Sequence, residues 1–234
     1  MLAALVAALA GVVRGITGFG GAMVMAPPLA LLLGPRITVP VVLLLESFAA
    51  APQVVQTRGL VRWRVVGPIL VATCITVPLG GYVLLAADPL WLRRAIAAIV
   101  IVFALLLLRG WRYTGSQKTL TGTALGGLAG AMLGATSIGG PPVILYLLAG
   151  PDRIDTTRAN LTLFVAGSCL AGCVMLLAAG VLDLEAAWTA LALAPGYYGG
   201  LVAGTRLFAR FDDARFRRFT LLLMIAVSSG ILLA

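Results

Sequence analysis

The chain has 234 residues, of which 61% are hydrophobic and only 11% are charged. Soluble domains carry roughly 25% charged residues, so this composition excludes a soluble fold and indicates a protein whose solvent is the lipid bilayer. The net charge of +9 does not indicate nucleic-acid binding, because the arginines lie in short loops between apolar segments, where they set the orientation of a membrane protein.

Apolar segments follow one another along the chain in the same order twice. Each series opens with a stretch that glycines interrupt, at 1–34 and at 119–150. Three continuous apolar runs follow each stretch: 37–57, 65–86 and 91–108, then 159–179, 186–205 and 219–234. A helix needs about 20 apolar residues to cross the hydrocarbon core. We therefore predict an all-α integral membrane protein with six full spans and two broken units, a total often counted as eight segments.

The glycine motifs indicate that the two series are internal repeats. The matching motifs are Gly11-x-x-x-Gly15-x-x-x-x-Gly20-Gly21 with Gly130-x-x-x-Gly134-x-x-x-x-Gly139-Gly140, Gly80-Gly81 with Gly199-Gly200, and Arg93-Arg94 with Arg217-Arg218. We predict a first transmembrane repeat at 1–110 and a second at 119–234, which together form a single membrane domain. Residues 2–13 have no basic n-region and no cleavage site, so we expect them to belong to this membrane body.

Charges in the loops predict how the repeats are oriented. Arginine-rich loops are expected in the cytoplasm: 58–64, 109–118 and 206–218. The charged residues of loop 180–185 are both acidic, Asp183 and Glu185, so this loop is expected outside. Because 58–64 and 180–185 are equivalent in the two repeats, the repeats are predicted to be inverted. Each broken stretch then enters and leaves on one face, and 119–150 would form two half-helices of about 14 residues, each about 21 Å long. Arg93 and Arg94 oppose this topology, because they fall on the predicted outer side.

The two broken stretches contain the candidate site. The segments are Arg14-Gly-Ile-Thr-Gly-Phe-Gly-Gly21 and Gly134-Ala-Thr-Ser-Ile-Gly-Gly-Pro-Pro142. Half-helices are predicted to begin near residues 21 and 141, and their unpaired N–H groups suit an anion. The candidate substrate-binding residues are Arg14, Thr17, Gly18, Phe19, Gly20 and Gly21, with Thr136, Ser137, Ile138, Gly139, Gly140 and Pro141. The alternative is close helix packing by glycine, which suits Gly11 with Gly15 and Gly126 with Gly130.

Polar residues inside the apolar runs are further candidates. Glu46 is the only acidic residue well inside a continuous run, and a buried carboxylate at that depth indicates a role. It would either carry a coupling proton or pair with an arginine; otherwise it borders a watery vestibule or pairs structurally with Arg14 or Arg58. Gln53 and Asn160 are candidate substrate ligands, and interhelical hydrogen bonds are the alternative for both.

The chain offers no chemistry for an enzyme, a metal or a cofactor. Histidine is absent, and Cys74, Cys169 and Cys173 all lie inside apolar runs, where buried, inert thiols are expected. A zinc site would need further ligands nearby. We predict neither a catalytic activity nor a bound cofactor.

The motifs resemble the TauE/SafE sulfite exporter family. The resemblance is carried by Gly15-x-x-Gly-Phe-Gly-Gly21, Gly134-x-x-x-Ile-Gly-Gly-Pro-Pro142, Gly59-Leu-Val-Arg-Trp63, Gly80-Gly81 and the run from Gly180 to Arg218. It covers almost the whole chain, although the second motif has two prolines where one is common. The resemblance implies a multi-pass permease of the bacterial inner membrane for sulfite, an organosulfonate or a related small anion.

We expect a secondary transporter that works by alternating access, with one repeat rocking against the other. Its expected partners are the anion, the lipid bilayer and a coupling proton, with a homo-oligomer left open. The alternatives are an anion channel and a membrane-embedded enzyme. The identity of the anion, the direction of transport and the coupling ion are open.

Overall fold

The computed structural model describes residues 1–110, 113, 118–150, 152–208 and 213–233. The helices in this part of the chain are α1 (Leu2–Thr17), α2 (Gly21–Leu33), α3 (Pro35–Thr57), α4 (Trp63–Ala86), α5 (Pro89–Leu108), α6 (Thr119–Thr136), α7 (Gly140–Leu148), α8 (Ile154–Ala178), α9 (Leu184–Phe208) and α10 (Asp213–Leu233). A 3₁₀ turn, Arg58–Leu60, follows α3. No strand occurs in these ranges, so the prediction of an all-α protein is confirmed, and helices cover all six predicted continuous runs.

Several helices are suited to a bilayer. Four segments of the described chain are long and apolar enough to cross a membrane: Pro35–Leu60, Trp63–Ala86, Pro89–Leu108 and Asp155–Ala178. Large apolar side chains such as Ile75, Leu79 and Leu170 are exposed on the outer faces of these helices. An apolar surface of this extent is stable in contact with lipid and unstable in water. The fold is therefore that of a multi-pass membrane protein.

Each glycine-broken stretch forms a helical hairpin. The α1–α2 turn contains Gly18 (φ 77°) and Gly20 (φ 91°), whose left-handed backbone an L side chain rarely adopts. The α6–α7 turn contains Ser137 at φ 61°. The Tyr146 hydroxyl of α7 donates to the carbonyl of Lys118, 3.1 Å away before the start of α6, so α7 folds back along α6. The prediction that 119–150 turns back on itself is confirmed.

The two halves of the second hairpin are unequal, so the prediction of two 14-residue half-helices is wrong. Helix α6 has 18 residues and α7 has nine. The glycines of α6 do not break the helix, because they pack against α4. Gly126 lies against the backbone of Ile69 and Gly130 against that of Thr73. The helix therefore continues to Thr136.

Glycine packing joins helices of the two predicted repeats in parallel pairs, α1 with α9 and α4 with α6. Along α1, Gly11 contacts the backbone of Tyr197, and Gly15 contacts that of Leu201 on α9. A Cβ on Gly11 would lie 2.0 Å from the Tyr197 carbonyl oxygen. Helices α4 and α6 pack in the same way. The interpretation of Gly11, Gly15, Gly126 and Gly130 as packing residues is confirmed, and each close pair takes one helix from each repeat.

The packing changes one predicted correspondence between the repeats. Gly80 lies against Ala131, and Gly204 lies against Val12. The spacing of the repeated glycine motifs makes Val12 and Ala131 equivalent positions. Gly80 is therefore equivalent to Gly204 and not to Gly199. The spacing between equivalent positions therefore grows from 119 residues (131 − 12) to 124 (204 − 80), and the greater length of α8, 25 residues against 23 in α3, accounts for two of these five.

Helices α3 and α8, which are equivalent in the two repeats, run in opposite directions through the centre. A Cβ on Gly172 would lie 2.8 Å from the side chain of Leu43. Further along α3 and its following turn, the backbone N–H of Arg62 donates to Oδ1 of Asn160 at 2.8 Å. Residues further along the chain from α3 therefore contact residues nearer the start of α8. These two antiparallel helices pack beside both hairpins and carry buried polar residues, among them Glu46 and Asn160.

Candidate functional site

A cavity that is partly open to its surroundings lies where the two hairpin turns meet, with about 420 Å³ of space free of protein atoms when the open part is included. The lining residues come from both hairpins and from α3 and α8: Arg14, Phe19, Gly20, Ala22, Met23, Glu46, Leu133, Ser137, Ile138, Gly139, Gly140, Pro141, Ile144, Val165, Ser168 and Cys169. Nine of these lining residues were candidates from the sequence, counting Glu46. The fold thus brings the two separate motifs to one place.

Two helix N-termini border this cavity. Helix α2 begins at Gly21 and α7 at Gly140, so the predicted helix starts near 21 and 141 are confirmed. Neither N-cap residue, Gly20 or Gly139, can cap its helix with a side chain. The first N–H groups of α2, and the N–H of Gly140 in α7, therefore have no side-chain acceptor from the cap. Pro141 and Pro142 have no N–H, so Gly140 is the free donor in the first turn of α7. The positive end of each helix dipole lies at these termini. This is a favourable environment for a negative group.

The polar cluster of the cavity joins three helices. Arg14 Nη1 of α1 lies 2.7 Å from Glu46 Oε2 of α3, and only 2% and 3% of the two side chains are exposed. The hydroxyl of Tyr197 on α9 donates to Glu46 Oε1 at 2.8 Å. The Nε of Arg14 is buried and has no hydrogen-bond partner. Of the alternatives for Glu46, pairing with Arg14 is therefore what the structure shows.

Gly21 allows the carboxylate of Glu46 to approach the start of α2. A Cβ at this position would lie 2.4 Å from Glu46 Oε1 and 2.9 Å from the Tyr197 hydroxyl. The carboxylate thus faces the positive end of α2 as well as the guanidinium and the phenol. Gly21 is a contact of this cluster and does not line the cavity itself.

The second hairpin lacks these charges. Leu133 precedes Gly134 as Arg14 precedes Gly15, and Val165 lies 11 residues into α8 (165 − 154), as Glu46 lies 11 into α3 (46 − 35). Thr73, which packs on Gly130 as Tyr197 packs on Gly11, is the equivalent of the tyrosine. The N-terminus of α7 therefore borders the cavity without a carboxylate at the position that Glu46 takes beside α2.

Two hydroxyls that were candidate anion donors hold the hairpin turns instead. The Thr17 hydroxyl lies 2.8 Å from the carbonyl of Val13 and also contacts that of Phe19, while Thr17 lines a separate, smaller cavity. The Thr136 hydroxyl donates to the Met132 carbonyl at 2.7 Å. Gly18, also a candidate, is the residue that ends α1. These three residues are not among the lining of the main cavity.

The other two candidates also lie away from the cavity. Gln53 is half-buried near the end of α3. Asn160 is fully buried, and its Oδ1 accepts the backbone N–H of Arg62, whose side chain forms an ion pair with Asp152. Asn160 thus joins the loop after α3 to α8. This contact agrees with the alternative interpretation of Asn160, a hydrogen bond between helical segments, better than with a substrate ligand.

Tyr197, Ser168 and Cys169 were not predicted as site residues. The signal for the tyrosine was in the sequence: Pro195-Gly-Tyr-Tyr-Gly-Gly200 places two phenols in the middle of an apolar run. A buried tyrosine hydroxyl usually finds a partner. Tyr198 donates to the Leu45 carbonyl at 3.1 Å, so both hydroxyls contact α3.

The membrane-suited helices and a cavity between two broken helices define a multi-pass membrane protein of the permease class. A family model for the sulfite exporter TauE/SafE matches residues 3–231. The chain therefore belongs to the TauE/SafE sulfite exporter family. No curated protein and no solved structure shows significant similarity to it.

Proposed function

We propose that this protein is a secondary transporter of the bacterial inner membrane for sulfite, an organosulfonate or a related sulfur oxyanion. The anion would bind in the cavity between the hairpin turns. The observation that carries this proposal is the meeting of two helix N-termini beside Arg14 in one cavity. The family match supports the substrate class, because it is a family of sulfite exporters.

The proposed binding uses backbone more than side chains. At the start of α7, Gly140 has no side chain between its backbone and the cavity, and Pro141 follows in the first turn, where a missing N–H costs nothing. Phe19, Ile138 and Ile144 form apolar walls around these groups. Hydrogen bonds and charges act more strongly in such a water-poor space than in water.

Alternating access is the proposed mechanism, and the inverted repeat is supported by the antiparallel course of α3 and α8. The expected rocking of one repeat against the other needs revision. The closest packing joins α1 to α9 and α4 to α6, so a motion between whole repeats would separate glycine contacts on both sides. We propose instead that each cross-repeat pair moves as one body about α3 and α8.

Counterflow in proteoliposomes tests the proposal. The purified protein should exchange internal unlabelled sulfite for external ³⁵S-sulfite with saturation, and an organosulfonate should compete. Gly140→Ala should reduce this exchange, since its Cβ meets only the flexible Ile144 side chain and otherwise borders the cavity. Gly127→Ala is the matched control: it lies in the same hairpin, and its Cβ would make an ordinary 3.6 Å contact with Thr76. Ohmic conductance without exchange would make the protein a channel.

A further inference from the structure

We propose that the Glu46 carboxylate acts as an internal anion that pairs with Arg14. A transported monoanion replaces the carboxylate at Arg14, and one proton binds to Glu46 at the same time. This inference rests on the proposed function and deepens it, because it assigns the coupling and the charge of the substrate. It starts from an incomplete set of hydrogen bonds around Arg14.

Arg14 is buried but incompletely paired. A guanidinium has five N–H donors, and one of them, Nε–H, is buried without an acceptor. Buried polar groups in native proteins nearly always have partners, and an exception requires a reason. Arg14 lines the cavity. A ligand oxyanion in that cavity would supply the missing acceptor.

Glu46 has the surroundings that an anion-binding site would offer. Its two oxygens contact the Arg14 guanidinium and the Tyr197 hydroxyl, and one of them lies close to Gly21 at the start of α2. These are a cation, a neutral donor and a helix N-terminus, the three groups that proteins use to bind oxyanions. The carboxylate therefore occupies the anion position of the first hairpin, whereas the α7 terminus has no such occupant.

An ionised Glu46 and a substrate anion exclude each other electrostatically. Two negative charges about 4 Å apart repel by about 4 kcal/mol at an effective dielectric constant of 20. The charged or titratable groups near Glu46 are Arg14 from α1, Tyr197 and Tyr198 from α9, and Cys169 from α8; α2 contributes its N-terminus. Cys173 of α8 contacts the neighbouring Ser47. The chain has no histidine. Glu46 is thus the anionic group of this cluster, and the proton that accompanies the substrate would bind to its carboxylate.

The net charge of the Arg14–Glu46 cluster then distinguishes a monoanionic substrate from a dianionic one. The empty cluster contains Arg14⁺ and Glu46⁻ and is neutral. With a proton on Glu46 and a monoanion on Arg14 it is neutral again, whereas a bound dianion would leave one uncompensated negative charge in a low-dielectric site. Hydrogen sulfite and sulfonates fit this count, and sulfate and thiosulfate do not. The proton and the anion would move in the same direction.

Calorimetric titration of the purified protein with methanesulfonate, a monoanion, and with sulfate, a dianion, tests the inference. Heats measured in buffers of different ionisation enthalpy should report about one proton taken up per methanesulfonate bound. Uptake of one proton with the anion means that the affinity should fall as the pH rises, by up to about tenfold for each pH unit, and sulfate should bind at least about tenfold more weakly. This measurement needs no variant, so it stands even if a variant fails to fold.

Glu46→Gln should bind methanesulfonate without proton uptake, independently of pH, and at pH 8 about tenfold or more tightly than the natural chain, because no internal anion competes. Glu185→Gln is the matched control, because this exposed acid lies in the first turn of α9, outside the cluster. Binding without proton uptake in the natural chain, or loss of binding in a folded Glu46→Gln, would overturn the inference while leaving transport intact. Failure of sulfite, methanesulfonate and sulfate to bind at any pH would overturn the proposed function itself.

Discussion

The two hairpins that enclose the cavity have the same backbone plan and different chemistry. Both turns pass through left-handed residues, both second helices begin at a glycine, and both first helices pack through glycine on a partner from the other repeat. Yet α2 faces Arg14, Glu46 and Tyr197, and the positions equivalent to the ion pair in the second repeat hold Leu133 and Val165. The two hairpins therefore share their backbone conformation without sharing these charged residues.

This difference suggests a division of roles. A helix terminus binds an anion through fixed dipoles and does not change charge with pH. A carboxylate does change charge, so a single copy of it can make one side of the cavity responsive to protons. Each variant below makes one hairpin more like the other or removes one group that distinguishes them.

Arg14→Leu should have the largest effect on stability. It copies Leu133 into the first hairpin and leaves Glu46 buried without its cation, which should lower the free energy of unfolding by about 3–5 kcal/mol. The double variant Arg14→Leu/Glu46→Val copies Leu133 and Val165, the residues at the equivalents of the ion pair, and should recover most of that loss while abolishing anion binding. Denaturant titrations in detergent would measure both. A double variant as unstable as the single one would show that the pair is not the source of the effect.

Gly21→Ala and Gly140→Ala compare the same position in the two hairpins. At Gly21 the new Cβ would displace the Glu46 carboxylate and the Tyr197 hydroxyl, and we expect a loss of about 3 kcal/mol, the upper end for overpacking. At Gly140 the Cβ meets only the Ile144 side chain, so stability should hardly change. Anion affinity should fall about tenfold or more there, as for one lost charged hydrogen bond. Equal destabilisation by the two changes would contradict the comparison.

Tyr197→Phe and Thr73→Val should give smaller and unequal effects. The tyrosine donates to a carboxylate, and removing such a bond costs about 1.5–3 kcal/mol. The threonine donates to the Gly126 carbonyl at 2.8 Å, a neutral bond worth about 0.5–1.5 kcal/mol. The free energies of unfolding of the two variants should differ in this order. The reverse order would indicate that the phenol does not stabilise Glu46.

Cysteine labelling compares the orientation of the repeats with little change in stability. In a chain without its three native cysteines, single cysteines at Gly59 and Leu184, near the ends of the equivalent loops, should react with a membrane-impermeant maleimide from opposite sides. Both residues are exposed. Labelling from the same side would exclude the inverted repeat.

Helix positions and the meeting of the two motifs could be predicted from the sequence, because apolar run length and glycine spacing determine them. The partner of Glu46 was left open between Arg14 and Arg58. Helix geometry favours the first, since 12 residues along α3 place Arg58 about 18 Å from Glu46. Tyr197 was missed because it lies in the other repeat, and its contact depends on the parallel packing of α1 with α9.

The role of Gly139 could not be predicted from the turn motif. Gly139 was a candidate substrate-binding residue in that motif, and at such a glycine an added Cβ would be expected to block the approach of an anion. In the structure the added atom would instead lie 2.6 Å from the Ala129 carbonyl oxygen and 2.7 Å from Leu133 Cβ. A valine at this position would disrupt the hairpin, so loss of transport in such a variant would not identify the site. The direction of a Cα–Cβ bond in a tight turn depends on dihedral angles that composition does not specify.

The pairing of α1 with α9 also constrains how the protein is made. Helix α1 leaves the ribosome well before α9, which begins only at Leu184. At about 5–20 residues per second, roughly 10–30 s of synthesis separate the two helices. During that interval Arg14 would lie in lipid without Tyr197 and, at first, without Glu46, and an unpaired arginine in the bilayer is costly. Stable insertion of the first hairpin therefore depends on helices that are synthesised later, and α4 with α6 can assemble before it.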